Sequence, residues 1–139
     1  MPELLERRQS TENAVAGVVV LGIEAMQGSL TINDFQVAVQ RLERAVRPWD
    51  SVVNIAPRTV GILCSTLSNV REVEAIATRL ADVVRAPMAV GDDVRQVGVC
   101  VGTAICGDGE DHVAAFARAR EAMRQMRAAR RTLVVPPPR

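Results

Sequence analysis

The apolar positions of the chain fall into runs that predict strands. Ala14 to Ile23 is a continuous, mostly β-branched run, which is typical of a strand buried on both faces. Val52 to Ile55 and Val60 to Leu63 are shorter runs on either side of a polar break containing Pro57, a pattern that predicts a β-hairpin. Val94 to Ile105 is a further strand-like run with small residues inside it.

Three other segments carry apolar residues at helical spacing. The first helix is predicted to begin after Thr31 and to end at Pro48, and the second to begin after Asn69 and to end before Pro87. The third lies near the end of the chain and has an arginine-rich face, interpreted as solvated. The predicted apolar stripes, which are expected to face the core, are Phe35, Val39, Leu42 and Val46; Val70, Val73, Ile76, Ala77, Leu80 and Val84; and Val113, Phe116, Ala119, Met123 and Met126.

The order of these elements predicts an α/β (α+β) fold. It reads β-α-β-β-α-β followed by a helix, with Thr132 to Val135 as an additional edge strand, and it indicates a mixed sheet flanked by helices. Residues 1–13 are predicted to be an N-terminal arm, residues 14–135 a single domain, and residues 136–139 a proline-rich tail.

Composition narrows the classes of partner. The 139 residues carry a formal net charge of +1, and because this balance is near neutral, no nucleic-acid or membrane partner is expected. No signal peptide or membrane-spanning run is visible, and the three cysteines lack C-x-x-C spacing. We therefore expect a cytoplasmic protein with reduced thiols, no disulfide framework and no zinc site.

The segment Asp50 to Leu63 resembles the central hairpin of GGDEF domains (diguanylate cyclases). Their usual form, D-x-V-A-R-x-G-G-D-E-F-x-[IV]-L, aligns with it without a gap. Leu42 to Pro48 is similar to the family segment L-x-x-x-L-R-P, and Val97 to Ala104 is similar to V-T-x-S-x-G-x-A. Ala117 to Arg130 is similar to A-D-x-A-L-Y-x-A-K-x-x-G. The resemblance covers Val18 to Val135 and implies the βαββαβ sheet of the nucleotide-cyclase palm.

Gly102 stands at the glycine of the family segment V-T-x-S-x-G-x-A. We expect another backbone or side chain to approach it closely. Arg120 stands at the aspartate of the last motif, and Arg127 stands at its lysine.

The catalytic signature of the resembled family is replaced. The residues at its five positions are Ala56, Pro57, Arg58, Thr59 and Val60. Family members join two GTP molecules into cyclic di-GMP and need two carboxylates to hold Mg²⁺ on the triphosphate. One comes from this hairpin, and the other comes from a D-x-D stretch at the end of the first strand.

Other nucleotide-contacting parts of the family pattern are altered as well. The D-x-D stretch is here Gly22-Ile23-Glu24, which keeps one acid. The following loop is several residues short, and Asn33-Asp34 are interpreted as helix-capping residues. We predict no catalytic residues, no metal site and no cofactor, which makes the domain a pseudo-diguanylate cyclase.

One family motif remains, an R-x-x-D site for cyclic di-GMP. Arg47 and Asp50 supply it, and Arg79 is the candidate for its second arginine. An arginine can fork onto guanine N7 and O6, and an aspartate can accept from the guanine N1 and N2 groups. The alternative is ordinary helix termination, in which an arginine near a helix C-terminus is followed by Pro48.

The single histidine and the single tryptophan are assigned structural rather than functional roles. His112 is interpreted as a solvated first-turn residue, and Trp49 as a packing residue of the hairpin rather than a stacking platform for a base.

Two classes of function remain open. The first is a bacterial regulatory module that binds a protein partner, a second copy of itself, or cyclic di-GMP. The alternative is an enzyme with residual GTP binding or diguanylate cyclase activity.

Overall fold

The computed structural model describes residues 15–26 and 28–133 of the chain. Their strands and helices run, in chain order, as β1 (Val15–Ala25), α1 (Ile32–Ala45), β2 (Ser51–Ala56), β3 (Thr59–Leu67), α2 (Val70–Arg85), β4 (Met88–Val90), β5 (Asp93–Arg95), β6 (Val97–Ile105) and α3 (His112–Leu133). The α+β class is confirmed, and the predicted order β-α-β-β-α-β-α is observed with the short strands β4 and β5 in addition. The predicted arm and tail lie outside the described residues.

The main sheet has the strand order β2-β3-β1-β6, and β4 and β5 form a separate two-stranded ribbon. All pairs within the main sheet are antiparallel, so the expectation of mixed strand directions is wrong. The reason is that each helical crossover skips one strand. β1 and β2 are parallel but lie on either side of β3, and β3 and β6 are parallel but lie on either side of β1.

Two sequence predictions at the C-terminal half need correction. Thr132 belongs to α3 rather than to an edge strand, because the helix continues to Leu133; Val134 and Val135 lie outside the described residues. The predicted strand from Val94 is divided at Gln96, whose side chain donates a hydrogen bond to the carbonyl of Arg85.

Helices cover the two faces of the sheet unequally. Helices α1 and α2 pack on one face, over a core that includes Leu21 and Ile62. Helix α3 packs on the other face, over a smaller core that includes Val18, Val20 and Cys100. Helix α3 lies against β6 and β1, the two strands at one side of the sheet. No helix within residues 15–26 and 28–133 is long and apolar enough to span a bilayer.

Glycines on the α3 face bring that helix close to the sheet. Gly61, Val20 and Gly102 are direct cross-strand partners, so they form one row across the sheet. A Cβ atom at Gly102 would lie 2.0 Å from the carbonyl oxygen of Ala119 and 2.4 Å from the backbone nitrogen of Met123. The close approach predicted at Gly102 is therefore confirmed, and the approaching group is the helix backbone itself.

Candidate functional site

The replaced signature lies beside the end of β1. Pro57 and Arg58 form the turn between β2 and β3, and Arg58 has a φ of 58°, in the left-handed region that non-glycine residues seldom occupy. The Arg58 carbonyl accepts a 2.8 Å hydrogen bond from the backbone N–H of Ile23, and Thr59 is the cross-strand partner of Gly22. The two stretches matched to the family's metal carboxylates thus lie side by side.

Arg127 of α3 fills the space above the end of β1. A Cβ at Gly22 would lie 2.5 Å from the Arg127 Nη2 atom and 2.9 Å from the Met123 sulfur. The Arg127 guanidinium also forms an ion pair with Glu24, and both side chains are about one-third exposed. The one acid kept from the D-x-D stretch is therefore neutralised by an arginine that stands where a side chain at position 22 would extend.

Acidic residues are sparse around this point. Among residues 15–26 and 28–133, no three His, Cys, Asp or Glu side chains come together in a way that could hold a metal ion. The ion pair of Glu24 and Arg127 balances in charge, and the adjacent hairpin turn contributes the positively charged residue Arg58.

Asp34 caps α1, as the sequence predicts. Its backbone N–H bonds to the Thr31 hydroxyl at 3.0 Å, and its carboxylate accepts from the Thr31 backbone N–H, which completes a capping box. The buried carboxylate is also held by the Arg95 Nε and Nη2 atoms at 2.9 and 2.7 Å. Hydrogen bonding by Arg95 lowers the Asp34 pKa to about 2. Asp34 is thus fully engaged in holding the start of the helix.

Arg47 and Asp50 form a closed pair. The Arg47 Nε and Nη2 atoms donate to the two Asp50 carboxylate oxygens, each at 2.9 Å, and Nη1 lies 3.5 Å from Glu72. Only 19% of the Arg47 side chain is exposed, and none of the Asp50 side chain is. The hydrogen bonds to Asp50 raise the Arg47 pKa above its ordinary value. A guanine would have to separate this pair in order to contact both residues.

Arg79 and Trp49, the other two residues considered for this site, are placed differently from each other. The Arg79 Nη1 atom donates a 2.9 Å hydrogen bond to the carbonyl of Ala45, so this candidate second arginine satisfies the C-terminus of α1. Trp49 is 56% exposed, so its predicted role as a packing residue is wrong. Its ring instead lies under the Arg47 guanidinium, 5.3 Å from the Cζ atom.

His112 and the three cysteines carry no catalytic arrangement among the described residues. His112 is exposed and begins α3, as predicted. All three cysteines are free thiols, and Cys64 and Cys100 are buried. Burial raises the pKa of the Cys64 thiol to about 11, which makes it a poor nucleophile.

A groove between β2 and α3 was not predicted from the sequence. It has a volume of about 500 Å³ and is lined mainly by apolar side chains, among them Val53, Ile55 and Phe116. Val113 and Val70 were predicted to be buried, but they are 71% and 56% exposed. Val113 is exposed because α3 packs mainly on β1 and β6, so that the side of the helix toward β2 and β3 is not covered by the sheet. Its spacing with Phe116 and Arg120 along α3 is the signal that could have revealed the groove.

Solved structures of known proteins share this architecture. A sensory box/GGDEF family protein from Caulobacter crescentus superposes with a TM-score of 0.73 at 18% identity, over 91% of this chain and 86% of its own. The diguanylate cyclase SiaD from Pseudomonas aeruginosa, solved with its activator SiaC, gives 0.72 at 19% identity, over 92% of this chain and 54% of its own. The chain has the fold of a GGDEF domain.

The GGDEF fold also appears in a more distant match. The coiled coil and GGDEF domain of DgcB from Caulobacter crescentus, in complex with c-di-GMP, gives a TM-score of 0.70 at 13% identity, over 92% of this chain and 74% of that one. No family model matches the sequence, and no curated protein matches it. The chain spans about half the length of SiaD, so the match to SiaD concerns the GGDEF fold and not that whole protein.

Proposed function

We propose that this chain is a catalytically silent GGDEF-like domain that acts as a regulatory binding module, with a protein as its main partner. The observation that carries this proposal is the position of Arg127, above Gly22 and paired with Glu24. Mg²⁺ needs oxygen ligands in fixed positions, and its charge carries much of the stabilisation in phosphoryl transfer. An arginine side chain provides donors only and repels a cation.

The hairpin supports the same proposal. Arg58 and Thr59 stand where the resembled family has acids, so the hairpin turn carries a positive charge in place of negative ones. The buried Thr59 hydroxyl is engaged with the Pro57 carbonyl at 3.1 Å. Pro57 has no N–H to offer a phosphate, and Ala56 and Pro57 place side chains where two glycines would allow the backbone to approach.

The proposal also includes a cytoplasmic location. The three free thiols support it, because disulfides are rare in that reducing compartment.

We expect no cyclic di-GMP from GTP with Mg²⁺ or Mn²⁺ above a no-protein control. The measurement is chromatographic detection of product after long incubation at high protein concentration. Product that disappears in Arg58→Ala or Glu24→Ala would overturn the proposal and favour the alternative, an enzyme with residual activity.

Writing Gly-Gly-Asp-Glu-Phe into positions 56–60 is expected to leave the chain inactive in the same assay. The reason is that Arg127 remains above Gly22 and the first metal ligand is still missing. Circular dichroism of this variant shows whether it is folded, so inactivity can be separated from unfolding.

A second candidate, a cyclic di-GMP receptor, is favoured by one observation. Arg47 and Asp50 are adjacent, and exposed Trp49 offers an aromatic face beside them. The protein-partner version is preferred because Arg47 and Asp50 already satisfy each other, and because Arg79 is bonded to the backbone.

If cyclic di-GMP binds at this site, Arg47→Ala and Asp50→Ala are expected to weaken binding roughly 5- to 150-fold. The estimate follows from the ~1–3 kcal/mol that a bidentate contact to guanine discriminates. Isothermal titration with cyclic di-GMP, GTP and GDP is the measurement, and circular dichroism checks the fold. Arg124→Ala, on the exposed side of α3, is the control and should leave binding unchanged. The absence of heat with cyclic di-GMP at high micromolar concentration would rule out the receptor version.

A further inference from the structure

Among residues 15–26 and 28–133, no helix lies on one half of the α3 face of the sheet. The opposite face is covered by α1 and α2, whereas on this face the described helix, α3, packs against β6 and β1. The β2–β3 half is left as an apolar depression, which we call the edge groove. Its floor is formed by Val53, Ile55 and Leu63, and its wall by Val113, Phe116 and Arg120 of α3.

The wall of the edge groove is a separate stripe of α3. Val113, Phe116 and Arg120 follow one another at intervals of three and four residues, so they share one side of the helix. The residues that α3 buries against β1 and β6, such as Ala115 and Ala119, lie on another side. Phe116 borders both sides, since it also packs against the core beneath α3, whereas Val113 is left uncovered within the described part of the chain.

The groove keeps apolar side chains in contact with water. Val113 is 71% exposed and Val53 is 36% exposed. Phe116 and Ile55 are half-buried, and both rest where Gly61 leaves room in β3. Covering such a surface removes apolar area from water at little cost in polar groups, and this favours association.

Arg120 differs from other arginines of α3 in its lack of an acidic partner among the described residues. Arg118 is paired with Glu110, Arg124 lies 3.9 Å from Glu121, and Arg127 is paired with Glu24. Arg120 lines the groove, and no ion pair with it is found among the described residues. A half-buried arginine at an apolar wall is an anchor for a carboxylate on whatever covers it.

We infer that the edge groove binds an amphipathic α-helix of a protein partner, with the apolar stripe of that helix on Val53 and Phe116 and an acidic residue at Arg120. A helix is the occupant because the uncovered half-face lies beside α3 in the same layer, where a second helix would complete the covering of the sheet. This inference rests on the proposed function, since it names the surface and the chemistry by which the module binds its partner.

The test uses the full chain and a designed probe. The probe is a fluorescein-labelled helical peptide of roughly 18 residues, with leucines at i, i+3, i+4 and i+7 and glutamates along one flank. A matched peptide carries lysines in place of those glutamates. Fluorescence anisotropy is expected to give a dissociation constant on the order of 10 µM for the glutamate peptide and roughly tenfold weaker binding for the lysine peptide.

Variants of exposed or half-buried groove residues locate the binding surface. Arg120→Glu is expected to reverse the preference between the two peptides, and Val113→Asp to weaken both by more than about tenfold. Val113 is a suitable position because its exposure makes the change tolerable to the fold. Arg71→Glu, an exposed charge reversal in the first turn of α2 on the opposite face, is the control and should change neither affinity.

Several outcomes would overturn the inference. One is no binding of either peptide at high micromolar protein, and another is binding that Arg120→Glu and Val113→Asp leave unchanged. Binding that appears only in a Leu4→Ser, Leu5→Ser double variant would assign the groove to the chain's own N-terminal segment. A dimer in sedimentation velocity that Val113→Asp dissociates would assign it to a second copy. The cyclase assay is unaffected by these outcomes, so failure of this inference and failure of the proposed function can be told apart.

Discussion

Gly102→Ala is expected to lower the free energy of unfolding by about 3 kcal/mol, measured by urea denaturation. The added methyl group would lie 2.0 Å from the Ala119 carbonyl oxygen, where no side chain can rotate away. Helix α3 would have to move off the sheet as a whole, which loosens the core that contains Val18 and Val20. Overpacking of this kind costs about 1–3 kcal/mol and occasionally more, and contact with a backbone puts Gly102 at the upper end.

Gly98→Ala, on the same strand, is the matched control. The nearest atom to a Cβ at Gly98 is the Met26 sulfur at 3.4 Å, the end of a flexible side chain. The change is expected to alter stability by less than about 1 kcal/mol, and a small gain is allowed because alanine restricts the unfolded chain. Equal losses in the two variants would contradict the close backbone contact at Gly102.

Asp34→Ala is expected to cost roughly 2–3 kcal/mol of unfolding free energy at pH 7. The variant loses half of the α1 capping box and leaves Arg95 without its carboxylate. The loss stays below that of a fully buried pair because 38% of the Arg95 side chain is exposed and water can solvate it.

The contribution of Asp34 also depends on pH. Its folded pKa is about 2 and its ordinary value is 3.8, so the unfolded state takes up the proton first as the pH falls. The stabilisation is fully present above about pH 4 and is lost as the pH falls to about 2. Denaturation curves at pH 7 and pH 2.5 should therefore differ less in Asp34→Ala than in the parent chain. Asp82→Asn, at a 68% exposed acid, should keep the parent's dependence, and a parallel change there would refute the assignment.

Much of the fold was predictable because the local sequence signals agree with the secondary structure that forms at each position. The β-branched run of β1, the Asn69 cap of α2 and the proline in the hairpin turn each indicated the element that the structure contains. The order of elements then limited the topology to few arrangements. The strand directions were not predictable to the same degree, because they depend on which strands become neighbours after the crossovers.

The candidate site was predictable only as a set of replaced positions. The sequence shows that Arg58 and Thr59 stand in the signature and that Arg127 stands at a lysine position, but not that Arg127 would pair with Glu24 across the α3 face. That contact joins residues about a hundred positions apart, and no local pattern encodes it. The burial of Asp50 and the exposure of Trp49 also depend on tertiary packing.

The central place of β1 has a consequence for how the molecule forms. The first described strand pairs on both sides with strands that come later in the sequence, and the last helix covers one of its faces. Most stabilising contacts of β1 therefore have high contact order, which slows folding because long loops must close first. During synthesis, Val18 and Val20 leave the ribosome before α3 and remain uncovered until α3 has been made. A nascent chain therefore exposes an apolar, aggregation-prone strand for as long as the segment from β1 to α3 takes to be translated.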